Sequence, residues 1–122
     1  SEGDAAHDIG QLLVDLHLLQ LPGKKNHPSD VIDNLRRLSD TLEKSYLENA
    51  QEQGDDTFLL RLEMGRARAF IRIAKGLTKR SEEHFSNGEV HKVEDAVISI
   101  HNYTEGAVGH LEKVYKALAS SS

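Results

Sequence analysis

The sequence predicts an all-α protein, an up-down-up-down antiparallel four-helix bundle, and three observations support that fold class. Apolar residues recur at helical spacing through most of the 122 residues. No segment shows the two-residue alternation that is typical of a half-buried β-strand. Three breaks rich in proline, glycine or capping residues separate four segments, and helices joined by short turns pack as antiparallel neighbours. The length fits one domain over residues 1–122, because domains commonly contain roughly 100–200 residues.

The three breaks set the boundaries of the predicted helices. Residues 21–28 contain two prolines and a glycine, which cannot continue a helix. A glycine stop followed by N-capping residues occupies 53–57, and an Asn-Gly pair at 87–88 is suited to the left-handed conformation that ends a helix. Ser29 is the predicted N-cap of the second helix. The predicted helices cover about residues 4–21, 29–53, 57–85 and 89–119.

Each predicted helix carries an apolar stripe that we expect to face the core. In the first helix the stripe contains Ile9, Leu12, Leu13, Leu16 and Leu19, and in the second Val31, Ile32, Leu35, Leu38, Leu42 and Tyr46. In the third it contains Phe58, Leu59, Leu62, Ala69, Ile73 and Leu77. The fourth helix has the longest uninterrupted 3-4 repeat: Val93, Val97, Ile100, Thr104, Ala107, Leu111, Val114 and Leu118. This spacing favours shallow crossing angles near ~20°.

Interior glycines mark places where helices approach each other. Gly65, close to Ala67 and Ala69, predicts a close approach between the third helix and a neighbour. Gly106 and Gly109 in the fourth helix predict either a mild kink or a contact site.

The first and third helices carry more apolar surface than one core needs. The first helix has a second stripe of Val14, Leu18 and Leu21, and the third has a second stripe of Leu60, Met64, Ala67 and Ile71. A set of cations, which we call the basic row, lies beside the latter stripe on one narrow face: Arg61, Arg68, Arg72, Lys75 and Lys79. One interpretation is a solvated face, because long Lys and Arg stems cover apolar surface without any partner.

The alternative interpretation is a docking surface. Apolar residues beside a cationic row suit an acidic amphipathic helix or a second copy of the chain. The candidate partner-binding residues are Arg61, Met64, Arg68, Ile71, Arg72, Lys75 and Lys79.

Composition and motifs exclude several functional classes. With no cysteine there is no disulfide framework and no cysteine nucleophile, and no stretch reaches the ~18 apolar residues of a membrane span. The formal charge of −5 argues against nucleic acid as a partner. Nucleophile-elbow, phosphate-loop and dinucleotide-binding glycine patterns are absent, so we expect neither an enzyme nor a cofactor. The lack of cysteine and of a signal segment favours a cytoplasmic location.

The seven histidines do not form a chelating pattern. None stands three or four residues from another, which is the spacing that binds a metal from one helix face. The sequence therefore predicts no metal site; the nearest candidates are His27, His84 and His91, which the predicted topology gathers at one end of the bundle. Residues 72–76, Arg-Ile-Ala-Lys-Gly, resemble the His-x-x-Lys-Gly element of histidine phosphotransfer domains. Arg72 stands where that family has its phosphorylated histidine, which excludes phosphoryl transfer at this position.

The sequence leaves three functional hypotheses. The first is a non-catalytic protein-interaction or adaptor module that docks an acidic amphipathic partner on the third helix. The second is a homo-oligomeric structural bundle, for example a homodimer, that uses the same apolar stripes. The third is a histidine-based metal-binding or phosphotransfer-like signalling domain.

Overall fold

The computed structural model describes residues 5–20 and 27–120, and these residues are almost entirely helical. Four helices follow one another: α1 (Ala5–Leu19), α2 (Ser29–Glu52), α3 (Phe58–Ser86) and α4 (Val90–Ser120). The described residues contain no β-strand, so the all-α prediction with four helices is confirmed. From α2 onward each predicted boundary lies within one residue of the observed one. The predicted limits of the first helix, residues 4 and 21, lie outside the described residues.

The backbone explains why the helices begin and end where they do. The prediction that Ser29 caps α2 is wrong, because Ser29 is already helical and the cap is Pro28, with φ −56° and ψ 152°. The Pro28 carbonyl accepts hydrogen bonds from the N–H groups of Val31 and Ile32, and no side chain caps the start of the helix. Gly54 and Gly88 adopt φ values of +71° and +73°, which are open to glycine at little cost and which end α2 and α3.

The chain divides into two compact units, Ser1–Gly65 and Arg66–Ser122, and the boundary falls inside α3. The first unit holds α1, α2 and the first turns of α3, while the second holds the rest of α3 together with α4. The single-domain assignment stays a prediction. None of the described helices combines the length and the apolar character needed to cross a membrane.

The core of the first unit is made by α1, α2 and the start of α3. Its buried members are Ala6, Leu13, Ala50, Phe58 and Leu62, with Ile9, Leu42 and Leu47 packed against them. The predicted stripes are partly wrong here, because these members are exposed: Leu12, Leu19, Leu38, Tyr46 and Leu59. Val14, placed in the second stripe of the first helix, is buried instead, whereas Leu21 lies outside the described residues. Each helix therefore buries a narrower face than its composition suggests.

Gly65 marks a close crossing of α1 and α3, as predicted. A Cβ placed on Gly65 would lie 2.6 Å from the backbone oxygen of His7 and 2.8 Å from its Cα. These are backbone atoms, so the two helices pack at this point without room for any side chain.

In the second unit α4 folds back along α3. The ring of Phe70 stacks on His110 at a centroid distance of 5.6 Å and lies 6.1 Å from the ring of Tyr103. Between them, a Cβ on Gly106 would lie 3.3 Å from the Phe70 ring. Gly106 is thus a contact site, and Phe70 stands at its level along the helix pair. Among the described residues, no atom of a neighbouring helix lies within 4 Å of a Cβ placed on Gly109.

The face of α4 that packs inward differs from the predicted stripe. Its buried or half-buried positions include seven at 3-4 spacing, which we call the inner seam: Val93, Ala96, Ile100, Tyr103, Ala107, His110 and Val114. Half of the predicted stripe is exposed: Val97, Thr104, Leu111 and Leu118. Small Ala96 and Ala107 let α4 approach closely, and Tyr103 and His110 pack on Phe70. Relative to the predicted orientation, α4 is therefore rotated about its axis so that the inner seam faces α3.

Candidate docking surface

The four members of the basic row that belong to the second unit are exposed on α3. Arg68, Arg72, Lys75 and Lys79 all have exposed side chains, and Ile71, which lies beside them, is 46% exposed. Their 3-4 spacing on one continuous helix places the cations along a single edge, because residues three and four apart share a helix face. The predicted combination of cationic and apolar side chains is therefore present on this stretch of α3.

Three cations of the basic row form no ion pair with a carboxylate among the described residues. Within the described residues, Arg68, Lys75 and Lys79 take part in no ion pair. Arg72 differs, because it already has an interaction. Uncompensated exposed charge of one sign creates a local positive potential, and such a potential steers an oppositely charged partner.

A groove of about 350 Å³ is lined by residues of both α3 and α4. Its lining residues are Arg72, Ile73, Gly76, Leu77, Arg80, Ser99 and Tyr103. The lack of a side chain at Gly76 leaves this space open, since a Cβ there would have no neighbour within 4 Å. The groove combines guanidinium and hydroxyl donors with an apolar floor, which are groups that bind carboxylates.

The two remaining predicted docking residues belong to the first unit. Arg61 is half-buried, pairs with Asp55 and lies over the ring of Phe58, with its guanidinium carbon 5.8 Å from the ring centroid. The hydrogen bond from Arg61 holds the pKa of Asp55 below its usual range, and the Thr57 side chain and N–H add to this. Through its pair with Asp55, Arg61 thus stabilises the turn that precedes α3. Met64 is 40% exposed.

A charged cluster fastens the turn between α3 and α4. The Glu89 carboxylate accepts hydrogen bonds from Lys92 Nζ at 2.6 Å and from His84 Nδ1 at 3.1 Å. These two donors, with Lys92 the stronger, lower the pKa of Glu89 to about 2. The Glu89 N–H also donates to the His84 carbonyl at 2.9 Å, so side chain and backbone close the same turn.

The three candidate metal ligands differ in exposure and in their neighbours. Among the described residues, no group of three or more histidine or carboxylate side chains is placed to hold a metal ion. His84 contacts Glu89, and His91 is almost fully exposed with Glu94 3.9 Å away. His27 is half-buried at the start of the described segment before α2.

Sequence reasoning missed a second exposed stripe, which lies on α4. We call these residues the outer seam: Val97, His101, Thr104, Val108, Leu111, Tyr115 and Leu118. Their spacing alternates between four and three residues, and every member is exposed, with Tyr115 at 74%. Glutamates at 94, 105 and 112 run along its outer margin, and we call them the acidic edge. The signal was present in the sequence as a second 3-4 repeat, offset by one position from the inner seam.

No family model, curated protein or solved structure matches this chain.

Proposed function

We propose that this protein is a non-catalytic interaction module that docks an acidic amphipathic helix on the basic row of α3. The observation that carries the proposal is the set of three exposed cations, Arg68, Lys75 and Lys79, without an ion pair among the described residues and next to exposed Ile71. An amphipathic helix binds by laying its apolar face on such side chains while its carboxylates meet the cations.

The burial pattern of the second unit supports a binding role. Its buried apolar residues are all alanines: Ala67, Ala69, Ala96 and Ala107. Its large apolar side chains include several that are more than half exposed: Phe85, Val90, Val97, Ile98, Tyr115 and Leu118. In this unit the large apolar side chains are more exposed than the buried alanines, which favours an interaction surface over a purely structural core. The up-down-up-down antiparallel bundle and the cytoplasmic location belong to the same proposal, the former supported by four helices that are close together along the chain.

The test compares two charge-reversal variants of equal charge change. Lys75→Glu/Lys79→Glu alters the basic row, while Arg37→Glu/Lys113→Glu alters exposed cations elsewhere that likewise have no ion pair among the described residues. Each immobilised chain is incubated at low and at high salt with a cell extract to which a differently tagged copy of the chain has been added. The amount of protein captured, including the tagged copy, is then measured. At low salt we expect the native chain and the Arg37→Glu/Lys113→Glu variant to capture the partner, and the Lys75→Glu/Lys79→Glu variant to lose it. At high salt we expect capture by the native chain to be lost as well. Equal capture by both variants and the native chain would contradict the proposal.

A further inference from the structure

The α3–α4 pair of the second unit has two edges of opposite charge. At about 100° per residue, Arg68 and Lys75 project from α3 on the side away from α4. By the same geometry Glu105 and Glu112 project from α4 on the side away from α3. All four side chains are exposed. The pair is therefore bounded by the basic row along one edge and by the acidic edge along the other.

Exposed apolar side chains lie between the two edges, on one side of the pair. Seen down the helix axes, Ile71 of α3 and the outer seam of α4 are both turned by about a quarter to a third of a circle from the face each helix presents to the other. Because the helices run in opposite directions, these turns bring Ile71 and the outer seam to the same side. The groove lined by Arg72 and Ser99 opens on the opposite side.

We propose that the acidic amphipathic helix docked by α3 is α4 of a second copy of this chain, so that two α3–α4 pairs form a closed dimer. This inference rests on the proposed function, because it names the partner of the same surface. The two-fold axis runs parallel to the helices. It places α3 of each copy on α4 of the other, with the outer seams and Ile71 residues in the middle.

Charge complementarity selects both this partner and this arrangement. A two-fold axis parallel to the helices brings each basic row against the acidic edge of the other copy. An axis perpendicular to the helices would set basic row against basic row, which is repulsive. A dimer with a two-fold axis also uses both surfaces at once and leaves neither exposed for further growth.

The register follows from contacts within one copy. Phe70 stands at the level of Gly106, and a rotation about an axis parallel to the helices keeps every residue at its level. With a rise of about 1.5 Å per residue, Arg68 then lies between Glu105 and Glu112 of the second copy. Lys75 lies about 6 Å along the helix axis from the level of Glu105 of the second copy, and Lys79 lies within one turn of its Glu94. Each of these three cations therefore lies within about 6 Å, along the axis, of the level of a glutamate of the second copy.

The experiment is a charge swap followed by sedimentation equilibrium from low to high micromolar concentration. One variant is Arg68→Glu/Lys75→Glu and the other is Glu105→Lys/Glu112→Lys. We expect the native chain to dimerise and each variant alone to show a dissociation constant roughly 10–100-fold higher, because like charges then face each other. An equimolar mixture of the two variants restores complementary edges and recovers dimers. The Arg37→Glu/Lys113→Glu control dimerises like the native chain, and circular dichroism checks that each variant is helical.

Disulfide trapping gives a second readout of the arrangement, since the sequence contains no cysteine. A mixture of Ile71→Cys and Val108→Cys chains is expected to form mixed disulfide dimers under mild oxidation, faster than either chain forms them with itself. A native chain that stays monomeric at every concentration overturns the inference, as does a mixture of charge variants that gains no dimer. Open assemblies that grow with concentration overturn the closed arrangement. A monomeric chain that still captures other proteins through Lys75 and Lys79 leaves the proposed function intact, so the two failures differ.

Discussion

Replacement of Gly65 by alanine probes the closest helix contact in the first unit. The added Cβ would meet three backbone atoms of His7: the oxygen at 2.6 Å, Cα at 2.8 Å and the carbonyl carbon at 3.1 Å. A backbone cannot rotate away as a side chain can, so α1 must shift against α3. Overpacking costs about 1–3 kcal/mol, and rigid contact atoms put this site at the upper end. The higher helix propensity of alanine offsets about 1 kcal/mol of this loss in the free energy of unfolding.

The expected net effect is a loss of roughly 2 kcal/mol in the free energy of unfolding, which corresponds to a decrease of about 8 °C in Tm for a chain of this size. Urea denaturation followed by circular dichroism measures it. Gly76→Ala is the matched control: it makes the same change in the same helix, but its Cβ would have no neighbour within 4 Å. It should raise stability by about 0.5–1 kcal/mol. Equal stability of the two variants would refute the reasoning.

Three further predictions concern the core and the two turns. Leu62 is fully buried, whereas Leu59 is 52% exposed. In urea denaturation Leu62→Ala should therefore lower the free energy of unfolding by about 2–5 kcal/mol, and Leu59→Ala by less than about 0.5 kcal/mol. Similar losses in the two variants would contradict the assigned core. Because the pKa of Glu89 is lowered from 4.5 to about 2, its contribution is complete above pH 4.5 and is lost as the pH falls toward 2. Glu89→Gln should therefore flatten the acid side of the stability profile, and a profile parallel to the native one would count against the cluster. Gly88 has φ +73°, so Gly88→Ala should lose about 1–2 kcal/mol and Gly88→Asn less, whereas unchanged urea midpoints would exclude a strained turn.

The helix boundaries were predictable because local chemistry sets them. Proline at position 28 cannot donate a backbone hydrogen bond, and glycines 54 and 88 adopt left-handed conformations that other residues avoid. These effects act within a few residues of chain and do not depend on tertiary packing. Even the incorrect N-cap, Ser29, lies only one residue from the observed cap, Pro28.

The faces of the helices were harder to predict, because apolar periodicity does not say which of two overlapping stripes is buried. In α4 the inner and outer seams both repeat at 3-4 spacing, and the choice between them depends on residues that periodicity ranks low. Alanines at 96 and 107 are buried because they permit close approach, and His110 is drawn inward by stacking on Phe70. Buried Glu63 was missed for a similar reason, since a charged residue has no place in an apolar pattern.

The candidate surface was predictable only on α3, where cations and apolar residues stand side by side in the sequence. Its counterpart on α4 was hidden inside the stripe assigned to the core, and it emerged once the rotation of α4 was known. For Arg61 the sequence pattern instead predicted a docking residue that the structure places in an internal ion pair. Arg61 has the spacing of the basic row, but Asp55, six residues earlier, pairs with it at the start of α3.

The distribution of charge on the second unit carries more functional information than the net charge of −5. A net value of this size describes solubility and long-range repulsion, which by itself opposes association between copies. At contact distance the local arrangement dominates, because salt screens charges separated by more than a Debye length of about 8–10 Å. The basic row on α3 and the acidic edge on α4 lie on opposite margins of one helix pair, with apolar side chains between them. Two copies can therefore attract each other through complementary edges although both are acidic overall, and added salt should weaken that attraction rather than strengthen it.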